Sequence, residues 1–295
     1  MTSKKINVLV TGSKGQVGHE LQTLAPDFPL FDFTFVDVEE LDITDPSAVN
    51  AFFEKNKFGY CLNCAAYTAV DRAESDEALA EKVNVDGVRN LALACAAHGT
   101  RLLHLSTDYV YHNSQNVPFV ETDLTNPQGV YARTKLAGDL AALDAHPSGA
   151  MVIRTSWVYS SFGHNFVKTM LRLGPERREL KVVFDQIGTP TYARDLASAM
   201  LTVIQKAENQ EVEKGFLRGI YHYSNEGVTS WYDFAVAIFG IKKLEVKVHP
   251  IETSAYPTPA KRPPFSVLNK GKIKATFGLE IPHWRASLEA CLELL

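Results

Sequence analysis

The chain alternates short, continuously apolar runs with longer stretches in which apolar residues recur every three or four positions. INVLV, FTFVD, YCLNCA, RLLHLS and AMVIRT are bounded by turn residues and carry few polar positions, so they read as strands buried on both faces. Between them QVGHELQTL, PSAVNAFFEKN and residues 77–98 and 131–144 show the helical period. Pro46 stands near the start of the second of these, where a missing N–H costs nothing, and Gly99 just past the end of the third. Strand–helix alternation of this kind predicts an α/β fold, a doubly wound parallel sheet with helices on both faces.

After residue 156 the pattern loosens. LKVVF, GIYHYS and EVKVHP read as strands, and residues 165–172, 194–206, 230–239 and 281–295 as helices. YPTPAKRPP, residues 256–264, reads as a loop, because Pro removes ladder donors and restricts its predecessor. The division expected is a nucleotide-binding domain over 1–156, with 186–222 returning to it. A smaller substrate-binding lobe takes 157–185 and 223–295.

Composition narrows the class. Hydrophobic residues make up 45% and charged residues 22%, with a net charge of −4, which suits an ordinary globular protein and not a dedicated nucleic-acid binder. Four cysteines cannot build a disulfide framework. Cys61 and Cys64 form one C-x-x-C with no second pair at zinc spacing, and read as buried structural thiols. The apolar run in MTSKKINVLV is too short for a signal peptide, and no stretch approaches the roughly 18 apolar residues of a membrane span. The expectation is a cytoplasmic protein with no nucleic-acid or membrane partner.

Chemistry enters with Gly12, Gly15 and Gly18, a G-x-x-G-x-x-G that follows the first strand and opens a helix. One glycine makes the turn, one lets a pyrophosphate approach the backbone, and one lets helix and strand pack closely. The helix N-terminus then offers free N–H groups to the phosphates. Asp37, at the end of the second strand, is placed to accept from adenosine ribose hydroxyls and favours NADH, whereas Lys14 could attract the 2′-phosphate of NADPH. A mononucleotide P-loop is absent from the sequence.

Tyr131 and Lys135 stand at i and i+4 and share a helix face. A phenol ionises near pH 10, and a neighbouring ammonium should lower that value. Ser106 and Thr107 end the RLLHLS strand, where ligands of open parallel sheets bind. Thr107, Tyr131 and Lys135 thus make an acid-catalysis set, with loop capping as the other reading of Thr107.

This set resembles the extended short-chain dehydrogenase/reductase family, a Rossmann-type fold. Within it the similarity is to reductases of dTDP-4-keto sugars, through NCAAYTAVDRAE, STDYVY, RTSWVY, NFVKTMLRL, DQIGTPTYARDLA, SNEGVTSWYDFA and SAYPTPAKRPPFSVLN. The resemblance implies reduction of dTDP-4-dehydro-L-rhamnose by NADPH or NADH, for a cell-surface polysaccharide. Thr107, Tyr131 and Lys135 would be the catalytic triad, with Tyr131 as proton donor and Lys135 also holding the nicotinamide ribose. Cofactor contacts would fall on Gly12, Lys14, Gly15, Gln16, Val17 and Gly18, on Asp37, on Asp42 and Ile43 near the adenine, and on Ala65, Ala66 and Tyr67. Substrate contacts would fall near Thr68, Val70, Tyr109, Trp157 and Arg262, the last gripping a diphosphate. Asn165 either bonds the substrate or caps its helix.

Several positions depart from the family pattern. Tyr111 replaces a usual Phe, His112 and Asn113 follow it, and Ala132 replaces a Gly. Some members are metal-linked dimers. Arg194 stands at one of the acidic positions, while Glu289 and Glu293 remain, so a magnesium bridge and the choice between monomer and homodimer stay open. The alternatives are another nucleotide-sugar epimerase, dehydratase or reductase, and a non-catalytic subunit resembling the regulatory subunit of methionine adenosyltransferase.

Overall fold

The computed structural model describes residues 5–295. Residues 1–4, the start of the N-terminal reading, lie outside the described residues. Six parallel strands form the central sheet: β1 (Ile6–Thr11), β2 (Phe31–Val36), β3 (Tyr60–Asn63), β4 (Arg101–Thr107), β5 (Ala150–Thr155) and β6 (Gly219–His222). Their spatial order is β6-β5-β4-β3-β1-β2. The chain leaves β1 toward β2 on one side and returns to β3 on the other, which opens a crevice at the strands' carboxyl ends.

Alternate residues of these strands serve two separate cores, as a period of two dictates. Val8, Val10, Leu62, Met151 and Ile153 pack under α1 (Gln16–Leu24) and α6 (Ala193–Glu208) through Leu21, Leu196, Met200 and Ile204. Leu9, Cys61, Leu102 and Ala150 pack on the opposite side with Val49 and Phe53 of α2 (Pro46–Lys55) and Leu91 and Cys95 of α3 (Val88–His98). Asp45 caps α2 by accepting from Ser47 and Ala48 N–H. α4 (Val130–Ala145) packs beside α3.

The predicted helix over 77–98 has an internal irregularity. Glu77–Glu81 is α-helical, Lys82–Gly87 winds as a π-helical turn, and α3 follows. Asn84 in this turn is fully buried, and a Cβ on Gly138 of α4 would sit 2.0 Å from its carbonyl oxygen. The close approach of α4 therefore depends on a glycine facing the widened turn.

Most of the remaining elements form a second packed body, while the helix Gly271–Phe277 returns to the first core through Ile273 and Phe277. Glu179–Val183 pairs in parallel with Lys247–Ile251, and α5 (Phe166–Arg177), α7 (Trp231–Ile241) and α8 (Trp284–Leu292) enclose a core of Met170, Leu180, Phe234, Ile238 and Leu288. α5 runs through Pro175, past its predicted end at 172, because a proline in the last turn forfeits only one helical bond. Residues 256–264 contain no helix or strand. Among the described residues no helix is long and apolar enough to cross a membrane.

Candidate active site

A cavity of about 790 Å³ opens at the carboxyl ends of the sheet strands. That volume falls in the range of small-molecule sites. Its floor is the loop between β1 and α1. Gly12 has φ +65°, and a Cβ there would lie 2.6 Å from Ala65 N, so only glycine lets this turn touch the segment after β3. A Cβ on Gly18 would lie 2.5 Å from Gly12 O, which fixes α1 against the turn. A Cβ on Gly15 would meet only Gly12 O, at 3.2 Å, so the loop backbone is open toward the cavity. An open glycine backbone at a helix N-terminus suits a dinucleotide pyrophosphate.

One end of the cavity is set by the turn after β2. Asp37 is half-buried and accepts from Lys14 N–H and Val38 N–H, both at 2.9 Å. Lys14 Nζ pairs with Glu39 at 2.7 Å, so its charge is already compensated. Asp42 accepts from Thr44 N–H and Oγ1–H at 2.9 and 2.7 Å, and these bonds hold its carboxyl below the usual range. Leu41, Ile43 and Val83 add an apolar wall.

The triad residues meet at the centre. Thr107, Tyr131 and Lys135 all line the cavity, with Tyr109 packed edge-on against Tyr131 at 5.8 Å between ring centroids. Thr107 Oγ1 accepts from Tyr109 N–H at 3.2 Å, so the hydroxyl both caps the turn and faces the site. Burial pushes the Tyr131 phenol up to about 12, opposed by the neighbouring Thr107 hydroxyl and reinforced by Asp108 and Asp139. The lowering expected from Lys135 is not realised in the protein alone. Lys135 Nζ donates to Leu105 O at 2.8 Å, and burial lowers its own value to about 8. A phenol held this high is fully protonated at neutral pH, which is the state a proton donor needs.

The outer wall comes from the second body. Trp157 takes φ +48°, a strained conformation for a bulky residue, and stacks on Trp231 with centroids 3.7 Å apart. A Cβ on Gly188 would lie 2.7 Å from the Trp157 ring, so that glycine makes room for the stack. Trp231, His164 and Asp108 also line the cavity but were not singled out from the sequence. Asp108 is fully buried, and burial pushes its carboxyl up to about 7. Its position beside Thr107 was the available signal. Trp231 had none, because its partner is 74 positions away in the sequence.

The structure therefore brings the 12–18 glycines, Lys14, Gln16, Val17, Asp37, Asp42 and Ile43 to one cavity. Ala65, Ala66, Thr68, Val70, Tyr109 and Trp157 join the triad there. Three expected residues lie outside its lining. Tyr67 donates its N–H to Asn84 Oδ1 at 2.9 Å and its hydroxyl to Asp76 at 3.2 Å. Asn165 caps α5 by accepting from Lys168 N–H, while its amide donates to Gln16 and Ser160, so the capping reading describes its geometry. Arg262 forms a bidentate pair with Asp71 at 2.8 and 3.1 Å, and so clasps the 256–264 loop to the short helix Val70–Ala73.

Two other expectations change. Cys64 is half-buried in the cavity wall, packed against the edge of the first core, with burial pushing its thiol up to about 12. Tyr111 uses the hydroxyl that the usual Phe lacks to accept from Arg154 at 2.7 Å and to meet His222 Nε2 at 2.8 Å. Arg154 is buried against Asp139 at 3.0 Å, so the substitution belongs to a buried polar network. Glu289 pairs with Arg285 at 3.7 Å, and among the described residues no group of three or more His, Cys, Asp or Glu could hold a metal ion.

Comparison with known proteins adds an independent line. Residues 6–295 match the family model of the RmlD substrate binding domain. A dTDP-4-dehydrorhamnose reductase from Aggregatibacter actinomycetemcomitans is 41% identical over 288 residues, covering 96% of this chain and 97% of the relative. A crystal structure of a dTDP-4-dehydrorhamnose reductase from Clostridium acetobutylicum superposes with a TM-score of 0.92 at 41% identity, over 98% of this chain and 99% of that one. The Bacillus anthracis reductase, solved in complex with NADP, gives 0.92 at 36% identity over 99% of this chain and 100% of the other.

Proposed function

Because the chain belongs to the RmlD family of dTDP-4-dehydrorhamnose reductases, we propose that it reduces the C4 ketone of dTDP-4-dehydro-L-rhamnose to dTDP-L-rhamnose, using NADPH or NADH. The observation that carries the reading is the meeting of Thr107, Tyr131 and Lys135 with the glycine loop in one cavity. The reduced nicotinamide, when bound, supplies the hydride.

The chain's own groups do the rest. The open backbone of residues 12–18 holds the pyrophosphate, Asp37 reads the adenosine ribose, and Asp42 and Ile43 border the adenine. Ala65 and Ala66 line the path between phosphates and ribose, and Tyr67 acts from behind them through its bonds to Asn84 and Asp76. Thr107 donates a hydrogen bond to the ketone oxygen, and Tyr131 delivers its proton to that oxygen as the C4–H bond forms. Lys135 orients the ribose beneath Tyr131. On the substrate side Thr68, Val70 and Tyr109 shape the sugar site, and the Trp157–Trp231 stack offers a flat apolar wall. Asn165 acts through Gln16, holding α5 to the glycine loop. Arg262 acts through the 256–264 loop that it clasps to Asp71. Residues 1–156 with 186–222 serve as the cofactor-binding domain, and 157–185 with 223–295 as the substrate lobe.

The dehydratase and regulatory-subunit alternatives lose ground, because the relatives are reductases and the triad is intact. The test is loss of nicotinamide absorbance with the dTDP-4-keto sugar, with dTDP-L-rhamnose identified as product. Tyr131→Phe should lower turnover by roughly 10²–10⁴-fold while cofactor binding persists. No turnover by the wild type with either cofactor, or near-normal turnover by Tyr131→Phe, overturns the reading.

A further inference from the structure

A buried hydrogen-bond chain runs beneath the cavity from the backbone after β3 to Lys135. Ala65 N–H donates to Asn63 Oδ1 at 3.1 Å, and Thr11 Oγ1–H donates to the same oxygen at 2.6 Å. A backbone N–H only donates, so these bonds fix which end of the Asn63 amide is oxygen. The amide nitrogen must then face His104 Nδ1, 2.9 Å away, and donate to it. Asn63 and His104 are both fully buried, so no water competes for either group. With Nδ1 accepting, the proton of a neutral imidazole sits on Nε2. Nε2 lies 3.3 Å from Lys135 Nζ.

That geometry opposes two donors if Lys135 is an ammonium, and pairs a donor with a lone pair if it is a free amine. The other groups facing Lys135 come from each element around it. Leu105 O accepts from it on β4, Cys64 stands beyond β3, and Tyr131 lies one turn earlier on α4. Asp139, one turn later, favours the ammonium, but it is shared with Arg154 of β5 at 3.0 Å. Asp139 Oδ1 is also 3.9 Å from His104 Nε2, on the side that favours a proton there.

We propose that His104 is a positioning residue of the reductase, held by Asn63 as the Nε2–H tautomer so that its N–H makes the free amine the form of Lys135 that fits this pocket. The pH at which the charge beside Tyr131 disappears is then set by a donor pattern that begins at the Ala65 backbone, where Gly12 of the cofactor loop also rests. Burial of Lys135 works in the same direction. The inference rests on the triad reading above for its consequence, though not for the tautomer itself.

The test begins on the whole wild-type protein without cofactor. Imidazole ¹⁵N NMR at neutral pH should show His104 protonated on Nε2 and bare on Nδ1. Asn63→Asp presents acceptors on both sides and should move the proton to Nδ1. His104→Phe removes the donor. In both variants the titration of the Lys135 ε-carbon, and the alkaline limb of kcat/KM, should move up by about one pH unit. A loosened core would hydrate Lys135 and raise its titration too; His104→Gln, which keeps an N–H donor at this position, should restore the wild-type titration if the donor sets it and leave it raised if loosening does. An Nδ1–H or imidazolium form in the wild type overturns the proposal even if neither variant folds, as does an unmoved Lys135 titration in both. Absence of reductase turnover in the wild type would defeat the functional reading and leave the tautomer result standing.

Discussion

Asp37→Asn should shift cofactor choice toward NADPH. The wild-type turn after β2 carries Asp37, Glu39 and Glu40 against Lys14, whose ammonium is paired with Glu39 at 2.7 Å. An exposed pair of this kind is weak, so it reduces without removing the attraction of Lys14 for a 2′-phosphate, and the local charge is negative. The phosphate carries about −1.5 to −2 charges. A unit pair at 4 Å interacts by about 1 kcal/mol in water and about 4 kcal/mol near a protein surface. Asp37 is half-buried and the 2′ position borders solvent, so about 1–2 kcal/mol of repulsion is reasonable. Removing a charge-assisted bond to the ribose costs NADH about 1 kcal/mol more. Asn keeps one oxygen to accept from Lys14 N–H but turns its amide nitrogen toward Val38 N–H, so one local turn bond is lost together with the charge. The wild type should accept both cofactors within about a hundredfold, or roughly 2.7 kcal/mol. The variant should raise the NADPH/NADH ratio of kcat/KM by about 10- to 100-fold, with the gap narrowing as salt is added. An unchanged ratio would mean that Asp37 does not read the ribose.

Further outcomes follow from the same geometry. Gly12→Ala should weaken dinucleotide binding by at least tenfold in a calorimetric titration, because its Cβ would meet Ala65 N at 2.6 Å in a left-handed backbone; near-normal affinity would remove the turn from the cofactor site. Arg262→Ala and Asp71→Ala each break one partly exposed pair worth about 0.5–1 kcal/mol, so substrate KM should rise two- to fivefold at constant kcat, and a kcat effect alone would contradict a clasp role. His222 is held down to about 3 by burial and Arg154, so the unfolded chain takes its proton first. Stability should be full above pH 6.5 and fall below it by up to about 1.4 kcal/mol per pH unit, and His222→Gln should flatten that slope in acid melting curves.

What the sequence revealed and what it concealed differ in the range of the interactions involved. The sequence predicts α1 at its observed bounds, because Gly15 and Gly18 mark its start and its apolar period is local. The sheet strands were legible for a related reason, since burial on both faces leaves a nearly continuous apolar run. The π-helical turn at Lys82–Gly87 has no such signature. It is settled by a buried Asn84 that donates to Thr134 and meets Gly138, both on α4. The spacing of Tyr131 and Lys135 gave a shared helix face, but it could not show that the lysine turns to Leu105 O and His104. The sequence presents Arg262 as a fork for a diphosphate because its partner Asp71 is 191 positions away. In each case the missing information is a partner distant along the chain. The same distance joins Asn63, His104 and Lys135, drawn from β3, β4 and α4, and makes that trio visible only after folding. A site read from its motif alone therefore lists the residues facing the ligand and omits those beneath, although the latter fix the protonation with which the former work.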